Sequence, residues 1–141
     1  MSFPQAGGSQ IEKYDQLIEY LASGCKPKSD WRIGTEHEKF GYFKETLSPI
    51  PYSGNRSVLA ILKGLETEYG WKPIKENNNI IGLSKNGANV SLEPGGALEL
   101  SGAQLQTVFQ TCDEVNEHLL EVKSIADKLN IGFIGLGAAP H

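Results

Sequence analysis

The stretch "WRIGTEHEKF", residues 31–40, places two glutamates inside a run that otherwise has the pattern of a β-strand. Side chains alternate between the two faces of a strand, so Glu36 and Glu38 point to the same face. Along the strand they are about 7 Å apart. Two charges on one face of a core strand need an explanation, and the segment "SLEPGGALELSG", residues 91–102, supplies part of it.

A second pair of glutamates lies in this later segment, which predicts a β-hairpin closed by Pro94-Gly95-Gly96. With a three-residue loop, Glu93 and Glu99 share one face of the sheet, whereas a two- or four-residue loop would separate them. Four carboxylates on one face repel each other unless a cation lies between them. Magnesium takes oxygen ligands and is commonly held by a few carboxylates and nucleotide phosphates. The alternative is that these are solvated charges on an exposed sheet face.

The rest of the chain predicts an α+β fold, with an antiparallel sheet and flanking helices on one side. Apolar residues recur at helical spacing in about residues 9–24, 56–69 and 105–130, and Ser9 and Glu12 form a capping box for the first helix. We expect one domain over 1–141, with an N-terminal helix in 1–25 and the sheet and helices in 31–141. Besides residues 31–40, the predicted strands are "WKPIKE", "NIIGLS", "ANVSLE", "ALELS" and "IGFIGLGAAP".

Composition narrows the classes of function. The 141 residues carry a formal charge of −4, which argues against a nucleic-acid partner because phosphate binding requires clustered Lys and Arg. No apolar run approaches the roughly 20 residues that cross a membrane, and the N-terminus has no recognisable targeting pattern. We therefore expect a cytoplasmic protein. Cys25 and Cys112 are too few for a disulfide framework or a thiolate zinc site.

Three longer motifs carry a resemblance to a known family. "WRIGTEHEKFGY", "SLEPGGALELSGAQL" and "QTCDEVNEHL" resemble the N-terminal portion of glutamate–cysteine ligases of the plant and proteobacterial type, from about Lys26 to the end. The resemblance implies part of a glutamine-synthetase-like catalytic fold, in which a curved antiparallel sheet presents acidic magnesium ligands. It also implies ATP-dependent ligation of the γ-carboxylate of glutamate to cysteine through an acyl phosphate, the first step of glutathione biosynthesis. The implied ligands are Mg²⁺, ATP, glutamate and cysteine.

Four site residues match the metal-site motifs of that family: Glu36, Glu38, Glu93 and Glu99. Two further residues are candidates for nucleotide or substrate contacts, and no catalytic residue is assigned. Arg32 shares strand parity with Glu36, so it can pair with the acidic cluster or meet a phosphate, and Ser101 can line the site. The family usually has glutamine where this chain has Ala97, which puts substrate contacts there in doubt.

The neighbouring basic residues have less specific interpretations. His37 and Lys39 point away from the glutamates if the strand is regular. We expect His37 to be a structural, hydrogen-bonded histidine and Lys39 to lie at the surface.

Family members are several times longer than 141 residues, so we expect the chain alone to be incomplete and inactive as a ligase. The alternative function is a truncated, non-catalytic metal-binding or interaction module. An open sheet edge also predicts self-association through residues 131–138.

Overall fold

The structure, a computed structural model, describes residues 8–139. Three α-helices, two short 3₁₀ helices and six strands are present in this part of the chain, which confirms the predicted α+β class. No helix among them combines the length and the apolar composition needed to cross a membrane. In chain order the elements are α1 Tyr14–Ala22, β1 Glu36–Phe43, α2 Val58–Tyr69, β2 Lys72–Glu76, β3 Asn79–Lys85, β4 Ala88–Glu93, β5 Ala97–Ser101, α3 Val108–Lys128 and β6 Ile131–Ile134.

All six strands form one antiparallel sheet in the order β2-β3-β4-β5-β1-β6. Strands β2 to β5 are the predicted meander, and β1 lies between β5 and β6. The turn Pro94–Gly96 joins β4 to β5 as a three-residue loop, so the predicted hairpin is confirmed. Gly95 and Gly96 have φ angles of 80° and 79°, a left-handed conformation that favours glycine. Loop length and residue type therefore agree in setting the register of this hairpin.

Helices α2 and α3 cover one face of the sheet and bury the apolar core between them. Ser57 caps α2 by accepting a hydrogen bond from the Ala60 N–H at 3.1 Å, and Thr107 with Gln110 forms a capping box at the start of α3. The buried core residues include Ile61, Leu62 and Leu65 of α2, Leu83, Val90, Leu98 and Leu100 of the sheet, and Val122 and Ile125 of α3. Burial of these side chains provides the main stabilisation of the sheet–helix layers.

The N-terminal helix differs from its prediction. α1 begins at Tyr14, and the Gln16 side-chain oxygen accepts hydrogen bonds from the Glu12 and Lys13 N–H groups at 2.7 and 2.8 Å. The predicted capping box at Ser9 is therefore wrong, because the amide of Gln16 already satisfies the free donors at the helix start. The apolar side chains of α1 are exposed, with Leu21 at 76%.

Two predicted strands are shorter than expected. β1 begins at Glu36, and before it only Ile33 forms an isolated bridge, to Leu105. β6 ends at Ile134, where its ladder with β1 ends opposite Phe40. The last two residues of the run "IGFIGLGAAPH" lie outside the described residues.

Candidate metal and substrate site

The four predicted metal-binding glutamates lie on one face of the sheet. Across β1 and β5, Glu38 pairs with Glu99 and Glu36 pairs with Ser101. Glu93 pairs with the β5 residue two positions before Glu99, so it has the same orientation. Leu98 and Leu100 alternate with these positions and belong to the helix-covered core, so the glutamates are on the face without helices. The structure thus has the predicted same-face arrangement, while metal binding by these residues remains a prediction.

Glu99 is the most buried member of this group, and two serines bond its carboxylate. It is only 6% exposed, and its two oxygens accept hydrogen bonds from the Ser101 hydroxyl at 3.0 Å and the Ser91 hydroxyl at 3.2 Å. Ser101, predicted to line the site, therefore positions Glu99. Ser91 was missed at the sequence level, although it alternates with Glu93 in "VSLE" and could have been found by the same parity rule.

Glu38 lies directly opposite Glu99 on the neighbouring strand. Side chains so placed have Cβ atoms about 4.5–5.5 Å apart, and like charges at that spacing destabilise a sheet. Within residues 8–139 no group of three or more His, Cys, Asp or Glu side chains is arranged to hold a metal ion. Magnesium, however, is often held by one or two carboxylates with substrate phosphates as further ligands. The oxygen donors of this glutamate pair fit such an ion.

A cleft of about 460 Å³ lies beside the β4–β5 turn. Glu38 and Glu93 contribute carboxylates to it, Ala97 lies on its wall, and residues 137–139 form another side. This volume is within the range of small-molecule sites. Ala97, at the position where the family usually has glutamine, thus faces the cleft. The sequence did not predict the contribution of residues 137–139, which come close only through the tertiary fold.

Arg32 lies outside this arrangement. It precedes β1, is exposed, and donates hydrogen bonds from Nη1 to the carbonyl oxygens of Ser29 and Trp31 at 3.2 and 2.8 Å. The prediction that Arg32 lies on the same face of the strand as Glu36 is wrong, because β1 begins only at Glu36. Contact between Arg32 and a nucleotide remains a prediction.

Buried and half-buried basic residues lie between the helix-covered face of β1 and α3. Lys39 is 1% exposed, so the prediction of a surface lysine is wrong: α3 covers it. Burial lowers the pKa of Lys39 to about 8. Burial, with the positive charges of Lys39, His37 and Lys85, lowers the pKa of His118 to about 3. Burial and Lys39 also lower the pKa of His37, and His37 Nδ1 has no hydrogen-bond partner among the described residues, contrary to the predicted structural role.

Comparison with known proteins gives the family. The model of Glutamate-cysteine ligase family 2 (GCS2) matches residues 32–141, and the chain belongs to this family. Its α+β architecture is consistent with the glutamine-synthetase-like fold of that family. Over 126 residues the chain is 53% identical to glutamate–cysteine ligase A, chloroplastic, of Oryza sativa subsp. japonica. It is 50% identical to the chloroplastic glutamate–cysteine ligase of Nicotiana tabacum and 49% identical to that of Arabidopsis thaliana.

These alignments cover 89% of this chain but only 24–25% of each relative. The chain thus spans about a quarter of the length of the curated relatives it matches. Their names also contradict the expected cytoplasmic location, since each is called chloroplastic. The N-terminal composition was therefore a poor guide to cellular location.

Proposed function

We propose that this chain forms part of the active site of an ATP-dependent ligase that joins the γ-carboxylate of glutamate to the amino group of cysteine. The observation that carries this proposal is the paired Glu38 and Glu99 on a polar sheet face, in a chain 53% identical to a protein named glutamate–cysteine ligase. The product, γ-glutamylcysteine, enters glutathione biosynthesis. A plastid location is part of the proposal, following the names of the relatives.

The carboxylate face has the chemistry that such a reaction requires. Transfer of a phosphoryl group to a carboxylate brings negatively charged groups close together. Catalysis therefore consists mainly of positioning the reacting groups and neutralising their negative charge. Magnesium, when bound, supplies the neutralising charge. In this chain Glu38 and Glu99 would hold the ion, while Ser91 and Ser101 keep the Glu99 carboxylate in one orientation through their hydrogen bonds.

The flanking glutamates extend the site in both directions along the sheet. Glu36 lies two residues before Glu38 on the same face of β1 and is exposed, whereas Glu93 lies in the cleft beside the β4–β5 turn. We assign Glu36 and Glu93 as further ligands or as partners of the substrates' positive groups. The amino group of glutamate is one such group, and a carboxylate-lined cleft of this size accommodates it.

The test compares two glutamine variants of the full-length protein with a matched control. Glu38→Gln and Glu99→Gln keep the side-chain size but remove a charge, whereas Glu76→Gln removes the charge of an exposed glutamate at the end of β2. We expect calorimetry to show magnesium–ATP affinity reduced about tenfold or more in the first two variants, with loss of γ-glutamylcysteine formation, and no change in the third.

Two other outcomes would contradict the proposed metal site or the proposed ligase activity. Unchanged magnesium–ATP binding in Glu38→Gln and Glu99→Gln would exclude the proposed metal site. Metal binding by the unmodified protein without any product would favour the alternative, a non-catalytic metal-binding module.

A further inference from the structure

Glu114 of α3 bonds the chain just beyond the end of β5. After Ser101 the pairing with the other chain segment continues for one residue, because the Gly102 N–H donates to the Thr35 carbonyl oxygen at 2.7 Å. The next N–H, that of Ala103, donates instead to Glu114 Oε1 at 2.9 Å. A side chain of α3, on the helix-covered side of the sheet, thus holds the end of a strand whose other face carries the glutamates.

Gly102 leaves the space that the Glu114 carboxylate occupies. A Cβ atom at this position would collide with Glu114 Oε2 and would lie 3.2 Å from the Thr35 nitrogen. Gly102 does not have a positive φ angle, so the close approach of the carboxylate, and not the backbone conformation, requires a glycine here. Glu114 Oε2 is buried and has no hydrogen-bond partner among residues 8–139. Such an oxygen lowers stability, so stability alone does not account for a glutamate at this position.

The segment that Glu114 holds adjoins two of the proposed magnesium ligands. Thr35 directly precedes Glu36, and Glu36 pairs with Ser101 across β1 and β5. The Ser101 hydroxyl donates to Glu99 Oε1 at 3.0 Å. A displacement of the end of β5 would therefore move the Ser101 hydroxyl, and with it one of the two hydrogen bonds that orient the Glu99 carboxylate.

We propose that Glu114 is a positioning residue for the magnesium site, a role that rests on the proposed ligase function. It touches neither the ion nor the substrates. It fixes the end of β5 and, through Ser101, the orientation of Glu99. A hydrogen bond from a backbone N–H to a carboxylate is among the stronger ones in proteins, which suits it to this task.

The test measures magnesium–ATP binding by variants of the full-length protein. Glu114→Ala removes the acceptor of the Ala103 N–H, whereas Glu114→Gln retains an oxygen acceptor. Asp113→Ala removes an exposed carboxylate from the same helix and is the matched control. We expect calorimetry to show affinity reduced about threefold to tenfold in Glu114→Ala, the effect of about one hydrogen bond. Glu114→Gln and Asp113→Ala should bind as the unmodified protein does.

Two measurements without metal separate positioning from a purely structural role. In metal-free Glu114→Ala, the Ala103 amide should exchange its hydrogen faster, and the NMR signal of the Ser101 amide should shift. Urea unfolding of each variant gives its stability. A purely structural role would change the free energy of unfolding but not the magnesium–ATP affinity of the folded protein.

Gly102→Ala is an independent variant, because its methyl group would displace the Glu114 carboxylate. The affinity should fall in Gly102→Ala, and the addition of Glu114→Ala should cause no further loss, since both changes break the same contact. Additive losses, unchanged affinity in Glu114→Ala, or an equal loss in Glu114→Gln and Glu114→Ala would each overturn the proposal.

Glu38→Gln distinguishes failure of the positioning role from failure of the proposed function. Weakened binding in Glu38→Gln together with unchanged binding in Glu114→Ala would refute the positioning role alone. Unchanged binding in Glu38→Gln would refute the magnesium site, and the positioning role with it, whatever the result for Glu114→Ala.

Discussion

Replacing Lys39 by methionine should stabilise the protein, because the lysine is buried as a cation without a hydrogen-bond partner among residues 8–139. Its pKa falls from 10.5 to about 8 in the folded state. At 1.36 kcal/mol for each pKa unit, the folded state is penalised by about 3 kcal/mol when the lysine is protonated. Methionine keeps an unbranched chain of similar length, and repacking it costs less than about 1.5 kcal/mol. The expected net gain near pH 7 is therefore about 2 kcal/mol.

The dependence of this gain on pH follows from the direction of the shift. Since the folded pKa is the lower one, the unfolded chain binds more protons between pH 8 and 10.5. The penalty is complete below pH 8 and disappears as the pH rises through 10.5. The advantage of Lys39→Met over the unmodified protein should therefore shrink across the same interval.

Urea unfolding in phosphate-free buffer, at pH 7 and again near pH 10, measures this difference. Lys63→Met should change the free energy of unfolding by no more than about 0.5 kcal/mol, as expected for an exposed substitution. If Lys39→Met lowered the stability at pH 7, or if its effect were independent of pH, Lys39 would have a compensating partner in the folded protein. The reasoning about an uncompensated charge would then be refuted.

Three further predictions concern other parts of the molecule. Folding lowers the pKa of His118 from 6.5 to about 3, so as the pH falls His118 takes up its proton in the unfolded state before it does so in the folded state. Stability should decrease below pH 6.5 by up to about 1.4 kcal/mol per pH unit, and His118→Leu should reduce this dependence in acid unfolding curves. The 141-residue chain alone should form no γ-glutamylcysteine from ATP, glutamate and cysteine, because an acyl phosphate must be shielded from water; mass-spectrometric detection of the product would contradict this. β6 is an edge strand of the sheet, so light scattering should show self-association at micromolar concentration. The charge introduced by Ile134→Lys should reduce this self-association. A strictly monomeric unmodified protein would contradict the prediction.

Local stereochemistry determined much of the candidate site. Alternation along a strand was enough to place Glu36 and Glu38 on one face of β1, and the three-residue loop "PGG" was enough to place Glu93 and Glu99 on one face of their hairpin. These relations depend only on neighbouring residues, so they could be obtained from the sequence. The helix that follows Ser57 was equally predictable, because its cap and its apolar spacing are local features.

The tertiary structure alone decided which strands became neighbours. β1 lies between β5 and β6, although in the sequence more than fifty residues separate it from β5 and more than eighty from β6, and this brings Glu38 opposite Glu99. The same placement puts α3 over Lys39, a residue whose type suggested the surface. Strand order depends on the combined burial of the α2, α3 and sheet side chains, an energy that no single segment contains. The pattern of one strand therefore shows which side chains share a face, whereas packing decides what lies opposite each face.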